Sequence, residues 1–233
     1  MPNKIGAMSQ PDVAQRRSVF LDALARLHER FLVGVEGVTE VWLIRHGDAY
    51  AELVSLDDSN IDPPLSPKGR HEAERLGLRL RDAGISGIWA STIVRAQETA
   101  EIAGGPSGLT VQTDDRLREA KTHWEDLDLD GETPGKAPGG YIPFVEPADE
   151  VVARMDAAIK TIAVTAGPGH RVAAISHAGA ISFYLAHLLQ LDSGPLRVLP
   201  QFTSVSVILI KDDRIVVQSI GDVGHLAGDP YAG

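Results

Sequence analysis

Strand-length apolar runs alternate with helix-length amphipathic stretches along most of this chain, and few folds accept that order. Strand patterns fall at residues 40–44, 85–90, 109–112 and 171–176, and helical periodicity at 66–83, 92–103, 148–164 and 180–191. Such alternation predicts an α/β three-layer sandwich, a mostly parallel central sheet flanked by helices on both faces. Two further strands, 204–210 and 214–219, are separated only by Lys211, Asp212 and Asp213. A connection that short makes a hairpin, so the C-terminal strand is expected to be antiparallel.

Punctuation sharpens several boundaries. Ser66 reads as an N-cap, Pro67 as the first helical residue and Gly84 as the residue past the end. Gly104 and Gly105 read as the close of the next helix. An additional helix is expected from Asp12 to about Phe31, where Phe20, Leu24, Leu27 and Phe31 recur at helical spacing, packed on the outside of the fold. Residues 121–147 lose periodicity and become rich in Gly, Pro and Asp, which suits a loop covering a pocket. The expected organisation is therefore a tail and extra helix at 1–38, a catalytic domain at 39–226 and a tail at 227–233.

Charge and composition exclude several classes of function. A formal net charge of -10 and a pI near 5.2 argue against nucleic acid or an acidic membrane as partner, since both require a broad basic surface. Without cysteine there is no disulfide, thiolate metal site or thiol nucleophile. The first residues lack the apolar core of a signal peptide, and no segment reaches the length of a membrane span. A cytoplasmic location is the default expectation, and a homodimer is one assembly open to the chain.

In open sheets of this kind, ligands bind beyond the carboxyl ends of the strands. The run VWLIRHGD, residues 41–48, ends on Arg45, His46 and Gly47. The strand at 85–90 leads into Ser91 and then Arg95, the strand at 109–112 is followed by Leu117-Arg118-Glu119, and the strand at 171–176 delivers His177. Cations on separate strand ends repel one another across a shared edge unless an anion gathers them. Two arginine forks and a histidine suit the oxygens of a tetrahedral phosphate dianion. A neutral imidazole can attack phosphorus, and a carboxylic acid must then protonate the leaving alkoxide. Glu119 is the best placed acid, with Glu125 and Asp126 as lesser candidates.

Taken together, these motifs resemble those of the histidine phosphatase superfamily, which includes cofactor-dependent phosphoglycerate mutases and many small-molecule phosphatases. LIRHG is similar to its signature, which implies His46 as the phosphorylated histidine and Arg45 as a phosphate ligand. PPLSPKG, residues 63–69, resembles the family's Pro-Leu-Thr-x-x-Gly helix opening. ASTIVRAQETAEI, residues 90–102, resembles its Ser-x-x-x-Arg-Ala-x-x-Thr-Ala segment, with the second phosphate arginine at Arg95. LREA resembles the motif of the general acid, at Glu119, and ISHAG the segment of the second histidine, at His177. The resemblance further implies that the backbone N-H of Ala178 touches phosphate. The chain departs from the pattern where the family has an asparagine after RHG, which leaves Asn60 as a substitute, and at Ala178 and Gly221.

The activity implied is hydrolysis of a phosphomonoester in a small phosphorylated metabolite, with no cofactor and no metal. Mutase chemistry is the alternative, and a non-catalytic phospho-ligand sensor is a second one. The family's mutases have a longer segment between acid and second histidine, and residues 126–140 are net acidic, which favours a phosphatase. A metal-dependent hydrolase would draw on His46, Asp48, His123 and His177, but these lack the spacing of a compact ligand motif. GETPGKAPGG, residues 131–140, has the flavour of a nucleotide loop, yet Ala137 stands where a Walker motif needs Ser or Thr. Trp124, Tyr141, Ile142 and Phe144 are candidates for an apolar pocket wall.

Overall fold

The computed structural model describes residues 13–50, 62–122, 144–191 and 198–228. Residues 1–36 and 37–233 form separate compact units. The first holds helix α1, Val13–Arg30, formed where apolar residues recur at helical spacing and ended on the favourable side of the helix dipole by His28 and Arg30.

The second unit is built on a six-stranded sheet in the order β3-β2-β4-β1-β5-β6. Its strands are β1 (Thr39–Arg45), β2 (Gly87–Ala90), β3 (Val111–Thr113), β4 (Arg171–Ser176), β5 (Val205–Lys211) and β6 (Arg214–Asp222). Parallel pairing joins β1 to β4, β4 to β2 and β2 to β3. The antiparallel element is β5, which pairs against β1, and β6 returns beside it. Asp212, with φ of 54°, takes the left-handed turn that lets Lys211 pair directly with Arg214.

Period-two alternation loads both faces. Val41 and Leu43 of β1 join Val172 and Ala174 of β4 in one core with Val151, Met155 and Ile159 of α4 (Ala148–Ala166) and Ile181 and Leu185 of α5 (Ala178–Leu188). The intervening Trp42 faces α2 (Pro67–Asp82), where the Arg79 guanidinium lies 5.2 Å from its ring. Ala73, Leu76 and Leu80 of α2 are fully buried, as are Ala96, Ala100 and Ala103 of α3 (Val94–Gly104). Among the described residues no helix is long and apolar enough to cross a membrane.

The caps of α2 are those its punctuation predicts. Ser66 Oγ accepts from Gly69 N at 3.1 Å, an arrangement worth about 1 kcal/mol. At the other end Gly84 N donates to Arg81 O and Ile85 N to Leu80 O, a Schellman closure with Gly84 at φ 71°. That closure consumes Ile85, which is why β2 starts at Gly87 and not at residue 85.

Further boundaries differ for other reasons. Gly104 and Gly105 close α3 as its last residue and its C-cap, but the turn is not yet left-handed: Gly105, at φ −52°, opens a short 3₁₀ turn, and the left-handed residue is Gly108 at φ 65°. β3 consequently begins at Val111, two residues later than the apolar pattern suggests. Helix α5 begins two residues early, at Ala178, because a cap arrives from a distant part of the chain.

The pocket-covering loop expected at 121–147 lies for the most part outside the described residues. Its two described ends meet: Thr122 bridges to Phe144, and Val145 N donates to Lys121 O at 2.9 Å.

The contact between the loop after β1 and the start of α2 leaves no room for a side chain. A Cβ at Gly69 would stand 1.9 Å from the Asp48 carbonyl oxygen, whereas one at Gly105 would meet nothing within 4 Å. Gly69→Ala is expected to destabilise the fold by about 3 kcal/mol through overpacking against backbone. Gly105→Ala is expected to be neutral or to stabilise by up to about 1 kcal/mol. Urea midpoints of the two variants check the contrast, and equal midpoints would refute it.

Candidate active site

β1 is interior to the sheet, so the residue after its carboxyl end is deeply placed. His46 is 1% exposed; its N-H donates to Ser176 O at 3.0 Å, and its carbonyl accepts from Thr203 N at 3.3 Å. The ring is oriented by Gly47 O, 2.7 Å from Nδ1. A carbonyl only accepts, so Nδ1 carries the proton and Nε2 holds the lone pair. Nε2 accepts from Arg95 Nε at 3.2 Å. Burial, then Arg95 and Arg45, push the imidazole well below its ordinary pKa, against the pull of the Gly47 carbonyl. The result is a neutral imidazole whose Nε2 lone pair faces a cation.

Gly47 is small for a reason its neighbours in sequence do not reveal. A Cβ there would come within 2.6 Å of Gly69 O in α2, and its N-H donates to Thr99 Oγ1 at 3.0 Å. Backbone packing demands the glycine.

The two arginines reach His46 from different elements. Arg95, in the first turn of α3 and 6% exposed, also lies 3.5 Å from Asp62 Oδ1. Arg45, the last residue of β1, donates from NH1 to Pro200 O at 2.9 Å, and its Cζ lies 3.9 Å from the Phe202 ring centroid. Its Nε is buried without a partner.

His177 follows β4 and is fully buried, its ring centroid 5.0 Å from that of His46. Nε2 is 2.8 Å from Ser91 Oγ, which itself accepts from Ile93 N at 3.1 Å. Its Nδ1 is buried without a partner. Burial, then His46 and the arginines, hold this imidazole well below its ordinary pKa too. Buried polar atoms are nearly always paired. An unpaired arginine nitrogen and an unpaired histidine nitrogen beside the same ring suit an anion that accepts from several sides.

Glu119 lies against the start of α5, for which His177 is the N-cap. Its Oε1 accepts from Ala120 N at 2.8 Å and Ala180 N at 2.9 Å, and its Oε2 from Gly179 N at 3.1 Å. This carboxylate is the distant cap that starts α5 early, at the positive end of the helix dipole. Ala178 is the first residue of α5, so its N-H has no partner within the helix. Arg45, His46, Arg95, Glu119, His177 and Ala178, six residues from four stretches of sequence, thus meet at one edge of the sheet.

Other candidates fall elsewhere. Asn60 lies outside the described residues, as do His123, Trp124, Glu125, Asp126, Tyr141, Ile142 and the 131–140 stretch. The Asp48 carboxylate accepts from Ser66 Oγ and Tyr50 N, both at 2.9 Å, and so holds the loop to α2. Phe144 packs edge-on against Phe183, with ring centroids 5.2 Å apart, in the core beside Gly179.

Several residues at the site are not evident from the sequence. Ser91 and Thr99 occupy fixed places in the 90–102 motif, and the structure gives each a partner at the site, in His177 and Gly47. Tyr50 and Phe202 stand 6.3 and 5.8 Å from the His46 ring. Behind them, Thr203, at φ 51°, places its Oγ1 3.0 Å from His225 Nε2, and Arg79 NH1 lies 3.3 Å from His225 Nδ1. Arginine only donates, so Nδ1 accepts and Nε2 carries the proton toward Thr203. Nothing in the local sequence marks Thr203.

Residues 41–223 match the model of the histidine phosphatase superfamily, branch 1. A relative named probable phosphoglycerate mutase, from Yersinia pestis (strain Pestoides F), is 30% identical over 204 residues, covering 80% of this chain and 94% of that protein. Among solved structures, Bacillus stearothermophilus YhfR is similar at a TM-score of 0.63 and 27% identity, covering 81% of this chain and 99% of that one. The phosphoglycerate mutase from Bacillus anthracis str. Sterne shares the fold at a TM-score of 0.65 and 21% identity, covering 82% and 96%.

Buried neutral histidines predict an acid limb in stability. Burial, then Arg79, lower His225 to about 4, against the opposing pull of Asp222. The unfolded imidazole binds its proton near pH 6.5, so the stability tied to a neutral His225 is complete above that value and is lost as pH falls toward 4. His46 and His177 add to the loss with the same sign. Urea midpoints measured between pH 8 and 4 are expected to fall over this window, less steeply in His225→Asn. A variant slope equal to wild type would contradict the assignment.

Proposed function

The chain belongs to the histidine phosphatase superfamily, whose members act on phosphate esters, and we propose that it is a metal-independent phosphomonoester hydrolase working through a phosphohistidine at His46. The observation that carries this reading is the imidazole itself: Nδ1 locked on Gly47 O, with the Nε2 lone pair facing Arg95 at 3.2 Å.

In this reading the ester phosphate displaces the Nε2–Arg95 contact and is gathered by Arg45, Arg95, His177 and the Ala178 N-H. Nε2 attacks phosphorus in line, the phosphorus–oxygen ester bond breaks, and Glu119 gives its proton to the departing oxygen. The arginine forks stabilise the charge spread over the equatorial oxygens. Water then attacks the phosphohistidine, Glu119 takes the proton, and inorganic phosphate leaves with His46 restored. For the first proton transfer, a Glu119 oxygen has to turn away from the backbone N-H groups of α5 toward the ester. The substrate class is a small phosphorylated metabolite, and the setting we assign is the cytoplasm.

A mutase is the second reading, favoured by the name of the Yersinia relative. Against it stands the sequence between Glu119 and His177, which is short and, over residues 126–140, net acidic, where a mutase calls for a large lid and extra basic residues.

His46→Ala is expected to abolish turnover of phosphomonoesters. Glu119→Gln should lower kcat/KM for alkyl phosphates by about 10²–10⁴-fold while sparing kcat/KM for activated aryl phosphates, whose leaving groups need no proton. Excess chelator should leave wild-type activity unchanged. Full activity in His46→Ala, or loss to chelator restored by added metal, would refute the reading. Phosphoryl transfer to a second hydroxyl outpacing phosphate release would establish the mutase.

A further inference from the structure

The stretch that carries Glu119 has no strand or helix to hold it. After the 3₁₀ turn Asp115–Leu117 the chain is extended, with Arg118 at φ −62° and ψ 164°. Backbone carbonyls in such a segment must find donors elsewhere. Here four in a row are satisfied by side chains. Arg154 NH1 donates to Arg116 O at 2.8 Å and Arg118 O at 2.7 Å, its NH2 donates to Glu119 O at 3.1 Å, and Ser176 Oγ donates to Leu117 O at 2.7 Å.

Arg154 is itself fixed. Its Nε donates to Glu146 Oε1 at 2.7 Å and its NH2 to Glu146 Oε2 at 3.0 Å, a two-point match of fork to carboxylate. Glu146 is 8% exposed. Burial would raise its carboxyl, but the Arg154 fork and the Lys121 N-H outweigh that and hold it below the ordinary range. The Lys121 N-H reaches Glu146 Oε2 at 3.1 Å. A single buried ion pair therefore grips the chain on both sides of Glu119, from residue 116 to residue 121.

We propose that Arg154, oriented by Glu146, is the positioning residue for the general acid, setting the backbone from which the Glu119 carboxylate reaches the leaving oxygen. The assignment rests on Glu119 being that acid. The hydrogen bonds of Arg154 go to Glu146 and to the carbonyls of Arg116, Arg118 and Glu119, so it acts on the acid through the backbone, and kcat/KM, which ends at the first phosphoryl transfer, reads its effect on protonation of the leaving group. The requirement is for a planar fork: three carbonyls and a carboxylate engage one guanidinium at once, and a lysine ammonium cannot span them.

The test is the dependence of kcat/KM on the leaving group, comparing p-nitrophenyl phosphate with an alkyl phosphate such as glycerol 3-phosphate. Arg154→Met and Arg154→Lys are expected to lower kcat/KM for the alkyl ester by about 10–100-fold, the scale of a misplacement of about 1 Å. The aryl ester should lose less than about threefold, because its leaving group needs no proton. In a Glu119→Gln background Arg154→Met should cause no further loss on the alkyl ester. If Arg154→Met proves too unstable to assay, Glu146→Gln, which keeps one acceptor for the guanidinium, should show a smaller version of the same split. Equal losses on both esters, or full additivity with Glu119→Gln, would overturn the positioning role. Should Glu119→Gln alone fail to separate the two esters, the acid assignment falls, and the proposal with it.

Discussion

The hydrogen bond from His46 Nδ1 to the carbonyl of Gly47 is the contact on which the site depends. It fixes the tautomer, and with it the direction of the Nε2 lone pair. The bond forms only if the chain folds back immediately after β1, and that fold-back brings Gly47 and Asp48 against Gly69 with no space for a Cβ on either glycine. The start of α2, its Ser66 cap and the loop after β1 are therefore one unit with the imidazole. Burial and the two arginines also favour the neutral ring.

Around that ring the protein tolerates what it avoids elsewhere. Arg95, His46 and His177 are buried together at one sheet edge with the half-buried Arg45, and Arg45 Nε and His177 Nδ1 lack partners. Desolvated cations side by side are unfavourable without an anion. The surrounding structure holds them apart by rigid, independent anchors: Pro200 and Phe202 for Arg45, Asp62 for Arg95, Ser91 for His177. Glu119 completes the arrangement as an internal carboxylate at the start of α5, and a buried ion pair on the opposite side steadies its backbone.

What the sequence reveals and what it hides divide along the range of the interactions. Ser66, Pro67 and Gly84 act within a few residues, so the ends of α2 are legible. β4 is bounded as its apolar run suggests because both its faces are buried. The convergence of Arg45, His46, Arg95, His177 and Glu119 is legible because parallel strands deliver their carboxyl ends to one edge. The early start of α5 is not legible, since its cap is Glu119, remote in sequence. The 3₁₀ turn that follows α3 and ends at Gly108 depends on Gly105 keeping a helical φ, which glycine leaves open. Arg154 reads as one more charge on an amphipathic helix, and its partners lie 8 to 38 residues away. Thr203 carries no local signal, because its left-handed backbone is imposed by tertiary contacts.

The most direct test of the chemistry is to catch the covalent intermediate. Wild-type protein mixed with an excess of p-nitrophenyl phosphate and quenched by denaturation at alkaline pH preserves a phosphohistidine, which can then be located by mass spectrometry. A phosphoryl group on His46, stable in base, lost in acid and absent from His46→Ala, is the expected result. Steady release of phosphate with His46 unmodified at every time after mixing, or a phosphoryl group on another side chain, would contradict the mechanism.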